Sequence, residues 1–147
     1  LEVISFRFPH VFNPASSQVE NARALQILLE ALISLNMAYL EHHTVPTLYK
    51  SGVVYGRTNE WDTIPALYER GFGDCKSLTA AQVAEYRRAG LQAFPVFRFI
   101  PRRSDGGLNF HILTQTATRF EDPSKVLGMG ADENARFSPG PRVLTLR

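Results

Sequence analysis

The chain has 147 residues, 44% hydrophobic and 20% charged, the balance of an ordinary globular domain long enough to bury a core without covalent staples. Its 16 Lys and Arg against 14 Asp and Glu leave a net charge of +2, too even to argue for nucleic acid, and a lone cysteine, Cys75, excludes an intrachain disulfide framework or a thiolate-rich zinc site. No apolar run reaches about 18 residues, so no transmembrane segment is expected, and a start at Leu1 with no initiator Met or leader pattern reads as a processed product or an excised fragment.

Ile4, Phe6 and Phe8 alternate with Ser5 and Arg7, a strand pattern closed by Pro9 and Pro14. Ser17 with Glu20 three residues on forms a capping box, and the helix it opens is expected to run to about His42. Leu25, Leu28, Leu29, Leu32, Tyr39 and Leu40 form one stripe while Ile27 and Met37 lie opposite, so this helix is expected to be largely internal. From Thr44 to Asn59, Pro46, Gly52 and Gly56 mark a long irregular connection, a kind of segment that is disproportionately functional. Its Tyr49, Tyr55 and Arg57 are candidate substrate contacts.

A short helix over about 62–70 leads into Gly71-Phe72-Gly73-Asp74-Cys75-Lys76-Ser77, where two glycines let the backbone turn sharply into the next helix, which Gly90 ends. At 3.6 residues per turn, Cys75, Leu78, Thr79, Gln82, Val83, Tyr86 and Ala89 share the inward face, and Lys76, Ser77, Arg87 and Arg88 point away. The only thiol therefore stands in a first turn, where unpaired N–H groups favour a thiolate, and a depressed pKa is expected. Taken alone, a single Cys is as well read as a small core hydrophobe.

Phe94 to Ile100 reads as a covered strand, with Pro95 placing it at a strand start or an edge. Arg102 to Gly107 is a polar turn, Leu108 to Gln115 alternates as a second strand, and Thr118 to Asp122 is a third, stopped by Pro123. A hairpin loop at Thr116-Ala117 would pair Gln115 with Thr118 and set His111 directly opposite Asp122, at a Cβ separation of about 4.5–5.5 Å. Cys75, His111 and Asp122 then supply a nucleophile, its base and the group that orients the base. Each has a plain alternative: a packed thiol, a hydrogen-bonded core imidazole, an Asp that opens an Asp-Pro-Ser turn. Neither metal nor cofactor is expected, since His10, His42 and His43 lack partners at ligand spacing and read as surface or helix-end residues.

The run Gly73-Asp74-Cys75-Lys76-Ser77-Leu78, with Phe110-His111-Ile112 and Glu121-Asp122-Pro123-Ser124, resembles the motifs of the transglutaminase-like superfamily of papain-related thiol enzymes over about 62–129. Together with Leu127-Gly128-Met129-Gly130, these motifs are similar to small members met in tailed bacteriophages and prophages. The resemblance implies an α+β fold in which N-terminal helices, among them the Cys-bearing one, pack on an antiparallel sheet that carries His and Asp. It implies a single domain over 1–147 with its core motifs at about 61–130 and a C-terminal tail. It also implies roles for Cys75, His111 and Asp122 as nucleophile, base and orienting group in peptidase, amidase or deamidase chemistry. Transglutamination and a non-catalytic place in a phage particle are the alternatives. A protein or peptide substrate and other virion proteins are the partners this suggests, in a virion or the bacterial cytoplasm. Trp61, Phe72 and Tyr86 are candidates to line an apolar cleft beside the thiol or to pack in the core.

Overall fold

The computed structural model describes residues 4–5, 17–101, 108–130 and 143–145. The expected strand around Phe6, His10 and the turn at 102–107 lie outside these residues.

Ser17 caps α1 (Gln18–His42) as a full capping box with Glu20. A short 3-10 turn (Leu48–Lys50) and β1 (Val54–Tyr55) follow, then α2 (Ile64–Arg70), β2 (Phe72–Gly73) and α3 (Cys75–Arg88). The remaining elements are β3 (Ala93–Pro101), β4 (Leu108–Thr116), β5 (Phe120–Glu121), α4 (Pro123–Val126) and β6 (Val143–Thr145). β1 and β2 pair in parallel, and the larger sheet is antiparallel in the order β5-β4-β3-β6. The fold is thus mixed α+β, with helices packed on an antiparallel sheet.

α3 is the central element. One apolar cluster joins its Ala80, Val83 and Ala84 to Leu25, Leu29 and Ile33 of α1 and to Phe97 and Ile112 of the sheet. A second joins its Leu78 and Ala81 to Leu48, Val53, Ile64 and Leu67. Every residue from Lys76 to Ala84 is buried, so the expectation of an outward Lys76 and Ser77 is corrected. Small side chains on two faces let α1 and the sheet close on one side and the 44–70 segment on the other.

α1 corrects a second expectation. It is long and apolar enough, by length and composition, to cross a membrane, yet only 33% of that stretch is buried. Leu25, Leu29 and Ile33 face the core, whereas Val19, Ile27 and Leu35 are exposed, so the helix is one-sided and not internal. β3 is covered as expected, with Val96, Phe97 and Phe99 buried, but it is flanked by β4 and β6 rather than lying at an edge. Among the described residues β6 pairs with Val96 to Arg98, so Pro95 lies just before the described β6 ladder.

Candidate active site

The thiol is positioned by its local sequence. Gly71 ends α2 at φ 82°, a left-handed cap that glycine adopts without cost. Gly73 answers a different need, because a Cβ there would lie 2.5 Å from Cδ1 of the buried Leu67. Asp74 then caps α3, accepting the Lys76 N–H at 3.3 Å, and Cys75 is the first helical residue, as expected. Thr79, one turn on, donates to the Ile112 carbonyl at 3.2 Å, so this stripe of α3 lies along β4.

The backbone of Ile112, next in chain to His111, is among the groups that act on the Cys75 thiol. The expectation of a depressed thiol pKa is not met: burial pushes it up to about 12, and the Asp74 and Asp122 carboxylates push the same way. The Ile112 backbone and the Lys76 ammonium pull it down by less. Desolvation outweighs the helix start, and the resting side chain is a thiol.

His111 is 2% exposed, and its Nε2 lies 2.8 Å from Asp122 Oδ2. With Nε2–H donating to the carboxylate, the neutral imidazole carries its basic lone pair on Nδ1. The other Asp122 oxygen accepts the Lys125 N–H at 3.3 Å and caps α4. The residue that opens the Asp-Pro-Ser turn is therefore also the one that meets His111. The register differs from expectation. Thr114 pairs with Glu121 and Gln115 with Phe120, and Thr116 closes on Arg119, so the loop is Ala117-Thr118. The shift is two residues, which keeps His111 and Asp122 on one face and makes them diagonal rather than direct neighbours.

Among the weaker candidates, Trp61 packs against the cluster that holds Cys75, with the Lys76 ammonium 5.9 Å from its ring centre. Tyr86 joins the same cluster, and Phe72 is 37% exposed. Tyr49 accepts from Gln82 Nε2 at 2.7 Å, and its pKa is raised by burial and by the Glu121, Asp122 and Glu85 carboxylates. Tyr55 packs on the second cluster, and β1 pairs it with Gly73, two residues before Cys75, while Arg57 is exposed. His43 stacks on Tyr39 at a helix end, and His42 is exposed. No group of three His, Cys, Asp or Glu suited to a metal occurs among the described residues.

Lys76, not among the residues expected at the site, pairs with Asp74 and donates to the Thr58 carbonyl at 2.8 Å. An ammonium two residues after a capping Asp, in the first turn beside the thiol, was the available signal. Gln82 and Tyr86, expected on the Cys75 stripe, also form a polar row with Tyr49 and Glu121, which the helical period alone does not reveal.

Compared with protein-family models, with curated proteins and with solved structures, the chain matches none.

Proposed function

We propose that the protein is a transglutaminase-like thiol enzyme that cleaves amide or peptide bonds through an acyl-thioester on Cys75. The observation that supports this most is the 2.8 Å His111–Asp122 pair on the strand against which the Cys75 helix start is laid. Sγ of Cys75 attacks the substrate carbonyl as His111 takes the thiol proton. The leaving amine departs with that proton, and an acyl-thioester remains. Water, deprotonated by the same imidazole, then attacks the thioester carbonyl and releases a carboxylic acid and the thiol. Asp122 fixes the His111 tautomer and stabilises the transient imidazolium. Because Cys75 rests as a thiol, His111 acts as general base during attack rather than as half of a standing ion pair.

The same raised pKa favours a second reading, a non-catalytic component of a phage particle in which Cys75 is a packed core residue. Incubation with casein and a labelled primary amine separates the readings. Hydrolysis yields new amino termini or released ammonia, crosslinking yields amine incorporation, and the structural reading yields neither. In the enzyme readings Cys75→Ala abolishes turnover. Asp122→Asn, which retains the α4 cap, lowers it by on the order of 10²- to 10⁴-fold because the imidazole loses its preferred tautomer. Turnover that survives Cys75→Ala refutes the assignment.

A further inference from the structure

The outward face of α1 is apolar and is left uncovered among the described residues: Val19, Ile27 and Leu35 are 79%, 57% and 59% exposed. Ala31, Ser34 and Ala38 are exposed beside them, with Ala24 and Leu28 partly so. The face carries one acid between Arg23 and Glu41, and that acid, Glu30, is held by Arg87 at 2.7 Å. Arg23 is exposed near its start, one turn after the capping Glu20, and Glu41 is exposed near its end.

We infer that this face pairs antiparallel with α1 of a second copy of the chain, about a two-fold axis through Ala31. The pattern is its own complement under that operation. Ala24, Ala31 and Ala38 recur every seven residues, so with Ala31 against itself, Ala24 meets Ala38 of the second copy. Small residues at all three levels let the helix axes approach to about 8 Å, the close end of helix packing. On one flank Leu28 then meets Leu35 of the second copy, and Leu35 meets Leu28, covering side chains that otherwise stand in water. Arg23 of each copy comes within a turn of Glu41 of the other, whereas a parallel pair would set Arg23 against Arg23 and Glu41 against Glu41. Glu41 is available for this, since its own contact with Arg88 is a long 3.9 Å pair at the surface.

A single helix pair makes a small interface, so association is measured by sedimentation up to about 100 µM. A dimer is expected that Ala31→Glu converts to monomer, because the substitution sets two like charges against each other on the two-fold axis. Ala31 is exposed and Glu is a good helix former, so circular dichroism and thermal unfolding of the variant should match the parent. In a Cys75→Ala background, Ala31→Cys should link to itself on oxidation. Ala24→Cys and Ala38→Cys should link to each other when mixed and neither to itself. A monomer at every concentration overturns the inference, as does a dimer that survives Ala31→Glu or self-linkage of Ala24→Cys. A monomer that binds uncharged lipid vesicles through Ile27 and Leu35 also overturns it and assigns the face to a membrane surface.

Discussion

Asp74 does two things to its neighbour that oppose each other. Its side chain caps the helix that carries Cys75, and its charge raises the thiol's pKa, with Lys76 acting the other way. Alkylation of Cys75 by iodoacetamide at neutral pH should therefore be slower than that of glutathione. Asp74→Asn should speed it, since asparagine retains the cap but not the charge, and Lys76→Met should slow it further. Rates repeated in mild denaturant separate access from ionisation, and an Asp74→Asn rate at or below the parent's would contradict the electrostatic account. Glu85 is a second group set by burial. It accepts the Leu48 N–H at 2.6 Å and tethers the turn bearing Tyr49, and desolvation raises its pKa from 4.5 to about 6. A carboxyl with a raised folded value binds more protons folded than unfolded, so this group lowers stability as pH rises through that window. The fall in melting temperature between pH 4.5 and 6 should be shallower in Glu85→Gln, measured side by side with the parent.

At the scale of elements, Gly73 places the thiol by what it lacks. Gly73→Ala should cost about 1–3 kcal/mol in urea unfolding, because the new methyl displaces Leu67 within a filled cluster. An unchanged midpoint would mean that the α2–α3 junction has slack. The same junction was legible in the sequence: glycines two apart, an acidic cap and a period of 3.6 locate Cys75 at a helix start. The hairpin was legible as to face but not as to register. Side chains alternate with period two, so a two-residue slip keeps His111 and Asp122 together, while the loop offers no Gly, Asn or Asp to fix the turn. The exposure of Ile27 was not legible, because apolar residues on both sides of a helix describe a buried helix and a one-sided helix with a second partner equally well. Nor was β6, three residues in a tail whose pairing depends on a strand far away in sequence.

For the molecule as a whole, β6 closes one side of the sheet and β5 the other, leaving β3 and β4 as inner strands. Ending the chain before Val143 uncovers the β3 ladder from Val96 to Arg98. That truncated chain should melt several degrees lower and scatter light on warming, since an open edge recruits other chains. A melt unchanged by truncation would show that β6 adds nothing to the sheet.

The chain has one tryptophan, and it lies on the cluster that holds the thiol, beneath an ammonium. Indole emission shifts with the charge and polarity around the ring, so the protein carries an intrinsic optical reporter at its own candidate site. A group docking beside or bonding to Cys75 should be felt at Trp61 through Lys76, next in chain to the thiol and over the ring, without any label being added. In a rapid-mixing trace the proposed thioester should register as one change in fluorescence as it forms and a second, of opposite sign, as water removes it.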